Sequence, residues 1–134
     1  MKRLSKHLLL AAMVSLCFAA CKQDTPDFSP EELVGKWVCG TEYWRYDSEY
    51  TAYPIETGST VNVNGFTWDV GDDVQESEAQ GFQWNVRGDQ LTQIHILQNT
   101  GASLPKVYTL LSVTPDELQY RDNYGQTFTF TRVQ

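Results

Sequence analysis

The sequence predicts an all-β domain: an antiparallel up-and-down sheet of seven or eight strands, closed into an eight-stranded barrel behind one short helical turn. Two observations carry this. Beyond Trp37 no apolar pattern of helical period reaches useful length, whereas period-two segments bounded by turn residues recur about every ten residues. The connections between them are short, as in a meander, and closing a meander removes the sheet edges that an exported monomer would otherwise expose. Strand spacing alone leaves a β-sandwich as the alternative.

The chain opens with an export signal. Lys2, Arg3 and Lys6 form a positive region, the uncharged apolar run Leu8 to Ala20 follows, and Cys21 ends it. That run is shorter than the roughly 20 apolar residues a spanning helix needs, and Lys22, Gln23 and Asp24 cut it off. The expected organisation is a signal peptide over 1–20, a flexible tether over 21–30 and a β-domain over 31–134. The 114 residues after the signal suffice for one domain with a real core. They keep seven Lys and Arg against seventeen Asp and Glu, a formal net charge of −10. Nucleic acid and anionic membrane surfaces repel such a chain, so no nucleic-acid partner is expected. Aromatic residues make up 13%, which marks a folded domain rather than an acidic tail.

Taken in order, Ser29-Pro30-Glu31-Glu32 offers a cap, a proline at the first helical position and a Glu to complete a capping box, hence one helical turn. Leu33 to Trp37 follows directly, and Trp37 to Ile55 holds one long strand or two shorter ones. Val61 and Val63 alternate on one parity and Phe66, Trp68 and Val70 on the other, so a bulge at Gly65 is expected. Phe82, Trp84 and Val86 alternate with polar residues, Gly88-Asp89 marks a tight hairpin, and Leu91 to Leu97 returns. Val107, Thr109, Leu111 and Val113 share the next face, stopped at Thr114-Pro115-Asp116. Leu118 and Tyr120 form a short strand, Asp122 to Gly125 a turn, and Phe128, Phe130 and Arg132 the last strand.

Leu33-Val34-Gly35-Lys36-Trp37 resembles the Gly-x-Trp motif that opens the first strand of lipocalin-type barrels. That resemblance implies a lipocalin-like barrel with a short N-terminal helical turn. In it Gly35 and Trp37 open the first strand, and the Trp37 ring packs under Arg132 from the end of the last. Phe66-Thr67-Trp68, Phe82 to Val86 with Gly88 to Leu91, Pro105 to Tyr108 and Tyr120 to Gly125 extend the likeness. The layout is similar to the small lipocalin-like lipoproteins of Gram-negative gut bacteria. Phe18-Ala19-Ala20-Cys21 resembles the bacterial lipobox, with Phe18 where that motif usually has Leu. This implies an acylated Cys21 and, since no Asp follows it directly, an outer-membrane lipoprotein anchored by its lipid, facing the periplasm or the surface.

Residues that could carry chemistry are few. Cys17 leaves with the signal and Cys21 takes the lipid, so Cys39 has no intramolecular partner and reads as a small buried hydrophobe. His95, flanked by Ile94 and Ile96, lacks any sequence signature of a catalytic partner; no catalytic residue and no cofactor is assigned. The acidic stretch containing Asp69, Asp72, Asp73, Glu76 and Glu78 is a weak cation candidate without EF-hand spacing, and otherwise a solvated rim loop.

The aromatic set Trp44, Tyr46, Tyr53, Trp68, Phe82, Trp84, Tyr108, Tyr120 and Phe128 is the strongest binding signal. Apart from Tyr53, these residues are the candidates to line a pocket for a small hydrophobic or amphipathic ligand. Their rings would equally serve to fill a barrel of this size. The expected function is a non-enzymatic, lipid-anchored envelope protein that binds such a ligand in its barrel. The alternative is a protein-interaction or structural module whose barrel is filled by side chains.

Overall fold

The computed structural model describes residues 26–134. The expected signal peptide, Cys21 and the expected tether as far as residue 25 lie outside the described residues. Phe28, placed in the tether by the sequence, packs against the core, and its N–H donates to Gly88 O at 2.9 Å. Helix α1 (Pro30–Leu33) follows. Ser29 stands at its N-cap without a capping bond; its hydroxyl turns to the Glu31 carboxylate, so the expected capping box does not form.

Eight strands succeed one another: β1 (Gly35–Cys39), β2 (Glu42–Pro54), β3 (Thr60–Asp69), β4 (Gln80–Arg87), β5 (Gln90–Ile96), β6 (Ser103–Val113), β7 (Glu117–Arg121) and β8 (Thr127–Arg132). Each pairs antiparallel with the next, and β8 returns to β1, so the sheet is a closed ring. The region from Trp37 to Ile55 resolves into two strands joined at Gly40-Thr41.

One end of the ring is plugged. Trp37 is wholly buried, its Nε1 donates to Leu33 O at 2.9 Å, and the Arg132 guanidinium lies 4.1 Å above its ring. Arg132 also donates to Val34 O, Glu32 O and Pro115 O, tying α1, the β6–β7 turn and β8 together. Gly35 makes room for it: φ is +138°, and a Cβ there would collide with the guanidinium. The β1–β8 seam itself is short, Trp37 with Arg132 and Val38 with Thr131.

The inner face is filled by Tyr46, Phe82, Trp84, Leu91, Leu110, Leu118, Tyr120 and Phe130 around Trp37, none more than 6% exposed. On β6 the inward residues are Tyr108 and Leu110. Leu111, placed by the sequence on one face with Val107, Thr109 and Val113, is exposed while Val113 packs on the core, because the register with β7 shifts between Leu110 and Ser112.

The wall is irregular where β2 and β3 leave it. Their register jumps between Tyr46/Gly65 and Thr51/Val63. The extra residues therefore lie in β2, at 47–50, rather than at Gly65; Gly65 instead lacks a Cβ because the Phe82 ring occupies that space. Beyond the jump the hairpin crosses the outer face of β4 and β5. Tyr53 and Val63 pack over Gly81, Ile96 completes a second small core, and Glu56 N–H reaches Gln98 O at 2.8 Å. As a result β3 pairs with β4 only from Gly65 to Thr67. The Asn64 carboxamide extends that ladder by one step: its Oδ1 accepts from Trp84 N–H at 2.9 Å and its Nδ2 donates to Trp84 O at 3.1 Å.

Replacing Arg132 by Ala removes a cation–π contact and three bonds from a charged donor, an expected loss of about 3 kcal/mol. Urea denaturation measures it. Arg132→Lys is expected to restore only part, since one ammonium cannot reach all three carbonyls and cover the indole. A loss under about 1 kcal/mol would mean that strand pairing alone closes the ring.

Candidate site at the open mouth

The end opposite α1 is the mouth. Here β6 from Ser103 to Tyr108 has β5 on one side only, because β7 joins it no earlier than Thr109. That cuts the rim low and leaves Leu104 and Lys106, both on the inward parity, exposed to solvent. Around the opening stand Cys39, Trp44, Tyr108 and Phe128, each half-buried and packed on the core beneath.

Below them runs a chain of polar side chains. Gln93 is wholly buried; its Nε2 donates to Tyr46 Oη at 2.8 Å, and its Oε1 meets His95 Nε2 at 2.9 Å. A carboxamide oxygen only accepts, so the His95 proton sits on Nε2. Burial, and then the positive charge of Lys106, hold the imidazole down to about 4, so it is neutral at pH 7. Burial pushes the Tyr46 and Tyr120 phenols well up. Tyr108 is raised too, by burial and then by the carboxylates of Asp122 and Glu42. The neutral His95 ring stacks on Phe82 with centroids 5.1 Å apart and meets Trp44 edge-on at 5.8 Å.

One polar atom stands out. Trp44 Nε1 is buried and has no hydrogen-bond partner among the described residues, which is costly for an indole N–H. At this end stand aromatic faces from Trp44, Tyr108 and Phe128 and one cation, Lys106, with the Trp44 N–H beneath the surface.

Of the pocket candidates named from the sequence, Trp44, Tyr108 and Phe128 line the mouth, while Tyr46, Phe82, Trp84 and Tyr120 fill the interior beneath it. Trp68 belongs to neither. It stacks on Tyr43 on the outer wall, centroids 5.4 Å apart, with Lys36 Nζ 5.5 Å from its ring, because it pairs with Tyr43 and so faces away from its inward neighbour Thr67.

The acidic stretch does not converge either. Asp69 caps its own turn through Gly71 N–H and accepts from Thr41 Oγ1; Glu76 bridges Lys36 and Arg45 at 2.7 and 2.8 Å; Glu78 accepts from Gln75 N–H. Asp72 and Asp73 sit on the exposed turn, and no cluster able to hold a metal forms among the described residues. The carboxylates pin the β3–β4 loop to the outer wall. Gln93, Lys106 and Leu104 escaped the sequence reading. Gln93 could have been found, since it shares parity with Leu91 and His95; the exposure of Leu104 and Lys106 depends on where β7 begins.

No helix among the described residues is long and apolar enough to cross a membrane. Comparison of the chain with family models, with curated proteins and with solved structures finds no match.

His95 makes stability depend on pH. Its value in the unfolded chain is about 6.5, so below that pH the unfolded state takes up the proton first. The contribution is intact above about 6.5 and falls away as pH drops toward 4. With partial solvent screening this amounts to about 2 kcal/mol. Denaturation curves across this range should lose that much more stability in the wild type than in His95→Gln; parallel curves would contradict a neutral buried imidazole.

Proposed function

We propose that this is a lipid-anchored, lipocalin-like protein of the outer membrane, tethered through Cys21, that binds a small hydrophobic or amphipathic ligand. The ligand sits in the mouth of the barrel, over the packed interior. The single observation that carries this reading is the unpartnered Trp44 Nε1 among half-buried rings. An amphipath that displaces the side chains covering that N–H and places an acceptor there would satisfy it, while its apolar body covers Tyr108, Phe128 and Leu104. The filled interior favours a shallow site and a small ligand, since Phe82, Trp84 and Tyr120 occupy the depth that a larger cargo would need. Acylation at Cys21 would keep this activity beside the membrane, because each buried CH₂ of the lipid contributes about 0.8 kcal/mol and stable anchoring takes more than one chain.

A second reading rests on the same packed interior: a barrel that binds nothing and presents its surface to a protein partner. The Asp122–Gly125 turn favours it. There Asp122 Oδ1 accepts from Tyr124 and Gln126 N–H, both at 2.9 Å, and holds out a tyrosine that is 96% exposed. Preorganised exposed aromatics are common anchors of interfaces.

Titration with 1-anilinonaphthalene-8-sulfonate separates the two. The mouth reading expects saturable, blue-shifted binding at one site, weakened about tenfold in Trp44→Phe by loss of a hydrogen bond to the sulfonate. It also expects Tyr108→Ala to weaken binding and Tyr124→Ser to leave it unchanged. No saturable binding, or binding indifferent to both Trp44 and Tyr108, would leave the second reading standing.

A further inference from the structure

The departure of the β2–β3 hairpin leaves a gap in the wall far from the mouth. Strand β4 has β3 beside it only as far as Phe82. Next along that side, Trp84 N–H and C=O are taken by the Asn64 carboxamide. Two residues on, strand alternation turns the N–H and C=O of Val86 the same way. The odd residues Asn85 and Arg87 are the ones directed to β5, as the two-residue hairpin pairing Arg87 with Gln90 requires. Among the described residues no strand or turn pairs with Val86 on the open side, where the step lies between the Asn64 carboxamide on Trp84 and the Phe28 N–H that donates to Gly88 O at 2.9 Å.

Val86 opens on a cleft of about 220 Å³. Its walls include Val34, Trp84 and Val86, with Glu31, Asp47 and Ser48 also lining it. A second cleft of about 410 Å³ shares Val34, Asp47 and Ser48 and continues along the β2 bulge. No cation lines the smaller one, while Glu31 and Asp47 do; Arg45, which contacts Asp47 at 3.0 Å, is also held by Glu76. The site is thus an open backbone pair, an apolar base and a rim with Glu31 outside any ion pair among the described residues and Asp47 shared with Arg45.

We propose that this cleft receives a short extended peptide segment carrying basic residues, which adds to β4 at Val86. The wall already shows the mode of binding. A planar amide, that of Asn64, occupies the neighbouring step, giving one donor and one acceptor to Trp84. A peptide bond of the incoming segment would do the same for Val86, as in strand addition to an exposed edge. An apolar side chain would rest on Val34 and Trp84, and a lysine or arginine would lie toward Glu31 and Asp47. This site is separate from the mouth, and its fate does not depend on the ligand proposed there.

Amide NMR on the full-length chain in neutral detergent tests it, with acetyl-Lys-Val-Lys-Val-amide as probe and acetyl-Glu-Val-Glu-Val-amide as control. The expected result is saturable movement of the Val86 amide by the basic peptide and at least about tenfold weaker binding of the acidic one. The Trp44 indole N–H should not move, which separates this site from the mouth. Ser48 is exposed on the bulge, so Ser48→Phe should block the cleft without touching the core and abolish the response. Val86→Pro removes the N–H on the side away from β5, and in that variant the movement of the neighbouring Asn85 and Arg87 amides on adding the basic peptide should be lost. If Val86 does not respond at low millimolar peptide, if both peptides bind alike, or if Ser48→Phe binds as well as the wild type, the proposal is overturned. Movement of Val86 on raising protein concentration alone would assign the edge to a second copy of the chain and overturn it as well.

Discussion

The ring depends on a planar cation over an indole. A sheet of eight strands closes only if its last strand finds its first, and here that seam is two residue pairs long. Arg132 makes up for the short ladder by acting in three directions at once: its face covers Trp37, and its N–H groups reach carbonyls of α1 and its flank and of the β6–β7 turn. The geometry needs a fork rather than a point charge, and it needs Gly35, because any side chain there would displace the guanidinium. Trp37 in turn fixes α1 through Leu33 O, so the plugged end is one interlocked unit.

With one end secured, the wall tolerates a breach. The extra residues of β2 release the β2–β3 hairpin, which finds a second apolar surface outside the ring on Gly81 and Ile96. A breach exposes backbone polar groups that water or a side chain must satisfy. Asn64 meets that demand for Trp84 and for nothing further, which is why the unpaired step falls at Val86.

The interior follows the same logic at the other end. A wholly buried Gln93 is tolerable because Tyr46 and His95 take its two ends, and His95 is tolerable because it stays neutral. These linked side chains divide the ring: below them side chains fill the space, and above them Trp44 Nε1 has no partner among the described residues. The same rings that make the core dense confine any binding to the rim.

Period-two alternation and turn chemistry act between near neighbours, so the strands and most of their turns were legible in the amino-acid sequence, whereas the meeting of Trp37 with Arg132 was only implied by the resemblance of the Gly35-Lys36-Trp37 segment. The sequence also showed an aromatic excess, though not which rings point where. Trp68 faces outward because of its pairing with Tyr43. Leu110 rather than Leu111 is core because of a shift against β7, and the bulge fell in β2 rather than at Gly65 because the hairpin had a second surface to cover. These outcomes are set by register between strands distant in sequence, and moving register by one residue exchanges the two faces of a strand. The partners of Asn64, Gln93 and Arg132 lie 20, 47 and up to 100 residues away, so only the tertiary structure decided what each of them holds.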